Sequence, residues 1–228
     1  MLALLAGVAQ ADVYTDAIDD IDGNIVGADI LNISQVEVTN DANYIYFSIS
    51  VTGDLDAANW GKYAIGMDTG RNAGDNSNPW GRNVDWGRGI TDFAGSWADD
   101  GGSGVGAELY AWNGGWGLTD ATYAAGTDIL GDDTDHASGI QRIAISLAAL
   151  GLSNGDVLAF DVFSTGGNVG DAGIDMLSRS DASTDWWTNQ SLSGELLSYT
   201  VQVVPLPSSA MAGLLGLGGV AVFKRLRR

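Results

Sequence analysis

Eight tryptophans stand in a chain of 228 residues, and five of them, Trp80, Trp86, Trp97, Trp112 and Trp116, fall within residues 66–117. The same stretch holds 14 of the 33 glycines. Flat rings on glycine-rich chain suit carbohydrate binding. Sugar C–H faces stack on indoles, while nearby acids and amides take the hydroxyls. These five are the candidate ligand-binding residues. Trp186 and Trp187 form a further pair, with rings on opposite faces if that segment is a strand. A structural reading competes at every position, because tryptophan also packs in cores and glycine lets strands approach it closely.

Carboxylates supply a second chemistry. Asp20-Ile21-Asp22-Gly23-Asn24 places oxygen ligands at alternate positions, with a glycine for the turn. Calcium takes several hard oxygen ligands, so D-x-D-G-N is apt, although the later glutamate of an EF-hand is missing. The run from Asp68 to Asp75 and the run at 132–135 are weaker versions. The candidate calcium ligands are therefore Asp20, Asp22, Asn24, Asp68 and Asp75. Solvated acidic turns explain the same residues, since Asp, Asn and Gly are turn formers. With 26 Asp against 3 Glu, a calcium site is chemically apt. No nucleotide is expected.

Catalysis finds less support. Glycosidases need two carboxylates at set separations, and no spacing singles out a pair among 29 acids. Glu37, Glu108 and Glu195 sit in strand-like contexts. His136 is the sole histidine, and no nucleophile-elbow motif accompanies it. The chain is read as a non-enzyme. The absence of cysteine removes disulfides, zinc-thiolate sites and cysteine nucleophiles together.

Charge narrows the partners. Ten Lys+Arg against 29 Asp+Glu give −19, and four of those cations (Lys224, Arg225, Arg227, Arg228) lie in the last five positions. Such acidity repels phosphate backbones and excludes nucleic acid as a partner. An apolar content of 45% is too high for a disordered acidic tail.

The elements that must position these groups read as strands. Residues 44–51 (YIYFSISV) put Ile45, Phe47, Ile49 and Val51 on one face and Tyr44, Tyr46, Ser48 and Ser50 on the other. That period of two marks a half-buried strand. Residues 35–39 alternate likewise, and 40–43 (NDAN) read as the hairpin turn between them. Further strands are expected at 62–68, 108–112, 141–147, 156–163 and 199–203, with a helical turn at 147–152. Residues 66–117 are expected to be long loops and bulged edge strands, and 121–139 a second irregular stretch. The pattern predicts an all-β domain over 12–203, a single antiparallel β-sandwich.

The two ends read as address labels. Residues 1–8 (MLALLAGV) followed by Ala9-Gln10-Ala11 match an apolar h-region and an A-x-A cleavage site, with Ala9 and Ala11 at the cleavage positions. No basic n-region precedes them, so residues 1–11 are read as a signal peptide truncated at its N-terminus. At the other end, Val204-Pro205-Leu206-Pro207 leads into an apolar stretch at 208–223 and then the basic tail 224–228. Sixteen residues make about 24 Å of helix, short of the ~30 Å hydrocarbon core. The arginines would stay cytoplasmic, leaving the acidic domain outside. Residues 204–228 resemble a PEP-CTERM sorting signal, with Pro-Leu-Pro where the family name has Pro-Glu-Pro. The resemblance implies a transmembrane helix that anchors the chain transiently in the inner membrane, processing by an exosortase-type enzyme, and release or display among extracellular polysaccharide.

The domain carries a resemblance too. Asp29-Ile30, then NDANYIYFSISV, YAIGMDTG and IQRIAISLAALGLSNGDVLAFDVFSTG, form an ordered set. This set resembles the DOMON and family 9 carbohydrate-binding-module type of β-sandwich, with jelly-roll or Ig-like architecture. The resemblance implies a binding module for sugars, or in some relatives for haem. Haem needs axial ligands, and only His136 and four methionines exist, so none is expected. The chain is thus expected to be an exported, non-catalytic glycan-binding module. The alternative is an acidic structural matrix protein without a small ligand, and a glycosidase is a distant third.

Overall fold

Alternating side chains on residues 33–51 close the first hairpin, because only one face of each strand has apolar residues to bury. The computed structural model of the chain describes residues 11–18, 20–22, 24–25, 27–58, 60–98, 106–168, 170–179 and 192–202. Its strands are β1 (Asp12–Thr15), β2 (Ile33–Asn40), β3 (Tyr44–Val51), β4 (Lys62–Asp68), β5 (Val84–Asp85), β6 (Asp92–Trp97) and β7 (Gly106–Trp112). After these come β8 (Trp116–Ala121), β9 (Ile129–Asp132), β10 (Ile140–Ser146), β11 (Val157–Thr165), β12 (Gly173–Met176), β13 (Leu192–Ser193) and β14 (Leu197–Thr200).

Two antiparallel sheets face each other. The first has the order β1-β2-β3-β10-β9, and the second β12-β11-β4-β6-β7-β8, with β14 also paired to β11. Between them Ile45, Phe47 and Ile49 of β3 meet Tyr63, Ile65 and Met67 of β4 and Leu158, Phe160 and Val162 of β11 in one core. Phe160 sits edge-on to both Phe47 (5.3 Å) and Tyr14 (5.1 Å). The fold is all-β and sandwich-like, as the alternation predicts.

A second core lies on the outer face of the second sheet. Ala64, Phe93, Phe163 and Met176 point away from the first core and are roofed by Val84, Trp86, Ile90 and Leu192. The glycine-rich excursion between β4 and β6 supplies most of that roof. The expectation that 66–117 is loop and edge is corrected here, because β6 is a central strand between β4 and β7. Its sequence, DFAGSW, is covered on both faces and so lacks the alternation that reveals a half-solvated strand. Within 121–139, similarly, β9 pairs with β10.

Some boundaries move by a few residues. β10 stops at Ser146, whose Oγ accepts from the Ala149 amide and caps a short helix, α1 (Leu147–Leu150). Gly151 ends that helix at φ +68°, a left-handed conformation that suits glycine. β14 runs over Leu197–Thr200 rather than 199–203. Residues 1–10 and 203–228 lie outside the described residues, and with them the signal sequence, the proline motif and the apolar and basic tail. Among the described residues no helix is long and apolar enough to cross a membrane.

Candidate functional site

Alternation along β7 sends Ala107, Leu109 and Ala111 into the core and Glu108, Tyr110 and Trp112 to the outer face. Glu108 is the hub of that face. Its Oε2 accepts from the Trp80 indole N–H (3.1 Å) and the Tyr110 hydroxyl (2.7 Å), and its Oε1 from the Tyr123 hydroxyl (2.8 Å). Burial, then the bond to Glu108, pushes the Tyr110 hydroxyl pKa up, and the same carboxylate raises that of Tyr123. Across the sheet the Lys62 ammonium stands 5.3 Å from the Trp80 ring centroid. Burial presses its pKa down.

Glycines let the rings lie flat. A Cβ on Gly95 would come within 2.1 Å of the Trp80 ring, and one on Gly106 within 1.8 Å of Trp97. Trp97 stacks on Tyr123 with centroids 6.4 Å apart and planes at 30°. Tyr123 is the most open ring of the group, 63% exposed. Trp80, Tyr110 and Tyr123 therefore converge on one carboxylate, with Trp97 stacked on Tyr123 and the Lys62 ammonium beside Trp80.

A second aromatic station stands further along the same face. Trp112 and Trp116 pair directly across β7 and β8, edge to face at 5.5 Å. Trp112 borders an open depression lined by Asn72, Gly74, Asn113 and Gly114, and the Trp116 N–H donates to Ser77 Oγ at 3.2 Å. Gly106, beside Trp97, and Trp112 are six strand residues apart, or about 20 Å.

Four of the five sequence-derived tryptophans thus reach this face, half-buried, as two groups. Trp86 does not. It is 4% exposed on the inner side of the excursion, lies against Gly66, and donates its indole N–H to the buried Asp161 at 3.0 Å. Its role is structural, because the second core needs a large ring there. Trp186 and Trp187 lie outside the described residues. Glu108, Tyr110, Tyr123 and Lys62 were not among the sequence candidates. Glu108 and Tyr110, two apart on an alternating strand, carried a signal; Tyr123 and Lys62 join only through tertiary packing.

The expected calcium set is not assembled. Asp22 accepts from both the backbone and side-chain nitrogens of Asn24 (2.8 Å each), a local turn. Asp68 accepts from the Gly70 amide and pairs with Arg88, while Asp75 caps Ser77. Each of these carboxylates serves its own turn or ion pair. Asp20 alone joins a group, with Asp16 and Asp175, where one oxygen from each lies within 4.8 Å of the others. Burial pushes the carboxyl of Asp16 up to about 7 and that of Asp175 up to about 8.

No protein-family model matches the chain, and no curated protein matches it.

Proposed function

We propose that this chain is an exported, non-catalytic glycan-binding module. One observation carries the reading: three aromatic rings bond Glu108 on an outer sheet face, with Trp97 stacked on Tyr123, Lys62 beside Trp80 and a second tryptophan pair further along the same strand. Three of the roughly four acceptor positions on the Glu108 carboxylate are already filled, so it orients the rings more than it reads hydroxyls. Stacking supplies the affinity and the polar groups supply orientation. A row about 20 Å long fits an extended polysaccharide better than a single sugar. The jelly-roll or Ig-like affiliation, exosortase-type processing, transient inner-membrane anchoring and a final place at the cell surface or in the matrix belong to the same proposal, supported by the terminal residue patterns.

Affinity-gel electrophoresis of the protein against neutral and acidic polysaccharides tests it. At least one polymer retards the wild type. Trp97→Ala weakens that retention about tenfold, the effect of removing one stacking partner, and Tyr123→Ala shifts it in the same direction. If every polymer leaves the mobility unchanged, the chain is the acidic structural matrix protein instead, a reading that the mutual saturation of Glu108 and its three donors favours.

A further inference from the structure

Where the chain leaves β1 it passes close to the far edge of the second sheet. The Asp16 amide still donates to the Ser34 carbonyl of β2 at 3.0 Å, but the following residues turn away and carry Asp20 back towards Asp175 of β12. Asp175 is fully buried. Its Oδ2 accepts from the Ile33 amide (2.6 Å) and its Oδ1 from the Met176 amide (2.8 Å), so both oxygens are held in place.

The charges acting on these acids have the wrong sign for an ordinary ion pair. Asp16 feels the charges of Asp20 and Asp161, and Asp175 those of Asp16 and Asp20, while a side-chain hydrogen bond between Asp16 and Asp175 offsets part of the repulsion. A buried carboxylate beside half-buried ones destabilises the fold when all are charged and no cation is present, because desolvation and like-charge repulsion act in the same direction.

Asn32 supplies an independent observation. It is 8% exposed, and its Nδ2 donates to the Ile18 carbonyl, in the loop that carries Asp16 and Asp20. That bond fixes which end of the amide is oxygen. Asn32 Oδ1 is then sealed from solvent with no donor upon it, and Asp16 Oδ2 is sealed in the same way. Buried acceptors without donors are uncommon and call for an explanation. The residue after Asn32 is Ile33, whose amide holds Asp175, and Ile18, which Asn32 binds, lies between Asp16 and Asp20, so Asn32 ties together the two segments that carry the acids.

We propose that Asp16, Asp20, Asp175 and the side-chain oxygen of Asn32 bind one calcium ion, which clasps the chain leaving β1 to the edge strand β12 and so joins the two sheets at that edge. All the donors are hard oxygens, which excludes the softer transition metals as the preferred ion. Magnesium holds several waters in a strict octahedron, whereas a group of three carboxylates and an amide oxygen, one of them fully buried, supplies the all-protein oxygen shell that suits calcium. The site is separate from the Glu108 face: Asp175 lies on β12, at the opposite end of the sheet order from β7. The proposal does not rest on glycan binding.

The full-length protein, stripped with EGTA, is titrated with CaCl2 by isothermal calorimetry and followed by thermal denaturation. One calcium binds per chain, and saturating calcium raises the melting temperature by several degrees, while equimolar magnesium does far less. Asp20→Asn lowers calcium affinity at least tenfold yet leaves the calcium-free melting temperature equal to or above that of the wild type, because it removes repulsion. Asn32→Ala also weakens binding. Asp22→Asn and Asp75→Asn leave it unchanged. Asp175→Asn is informative only if it folds, so Asp20→Asn decides. The proposal is overturned if the stripped protein takes up no stoichiometric calcium, or if Asp20→Asn binds calcium as tightly as the wild type.

Discussion

Asp161 is buried in the second core, beneath Trp86, yet its carboxylate accepts four hydrogen bonds. Trp86 Nε1 (3.0 Å) and Ser178 Oγ (2.9 Å) reach Oδ2, and the Val162 and Ser178 amides reach Oδ1. Burial pushes its carboxyl up to about 7, against the pull of those donors. An amide cannot replace it. Asp161→Asn would set an NH2 group against two donors and leave one of them unsatisfied, at a cost of about 1–3 kcal/mol. Urea denaturation should show a lower midpoint with an unchanged slope. A slope change would mean that the second core had loosened as a whole, rather than lost a bond.

At the scale of elements, the β6–β7 pair decides whether the outer face presents rings or buries them. Trp97 lies opposite Gly106 in the register, and that glycine leaves room for the indole to cross the strand. Gly106→Ala should drive Trp97 off Tyr123 and cost about 1–3 kcal/mol through overpacking. Its signature is coupling. In a Trp97→Ala background the same glycine change should be nearly neutral, which a double-mutant cycle measures directly. Equal costs in both backgrounds would show that Gly106 serves the backbone and not the ring. The strands that alternate, β2, β3 and β10, were legible because each has one face in the core and one outside it. β6 was not, since its two faces meet two different cores and nothing in DFAGSW marks the difference. β9 and β12, at four residues each, are too short for any period to register.

For the molecule as a whole, buried acids set the pH dependence of stability. Burial pushes Asp92 up to about 6, despite Arg71 and Thr91, and Asp161 up to about 7. Both values exceed the unfolded one near 3.9, so the folded chain keeps these protons longer than the unfolded chain does. Asp16 and Asp175, raised to about 7 and about 8, act in the same sense when no ion is bound, so stability should fall as pH rises from about 4 to about 8. Asp41 acts in the opposite sense: burial raises its pKa, but the Asn43 and Tyr44 amides and the Tyr46 hydroxyl outweigh that and hold it low. Its contribution is present above about 4 and is lost as pH drops below that. In EDTA, melting temperature should peak in mildly acidic buffer. Asp161→Asn should flatten the decline towards neutrality, and an unflattened curve would locate the proton elsewhere.

Alternation and composition by themselves determined the all-β class, the first hairpin, the inward faces of β3 and β10 and a short helical turn after β10, because each depends on residues within one or two turns of chain. Tryptophan and glycine counts likewise marked residues 66–117 as unusual. Tertiary structure alone decided which rings reach the outer face: Trp86 turns inward as part of the roof, while Trp97 stays half-exposed beside Tyr123, 26 residues further along the chain. It also decided which carboxylates meet. Asp16 and Asp20 find Asp175 across more than 150 residues, whereas within the D-x-D-G-N spacing only Asp22 and Asn24 close on each other. Proximity across a sandwich depends on strand order and register, and no local spacing encodes either.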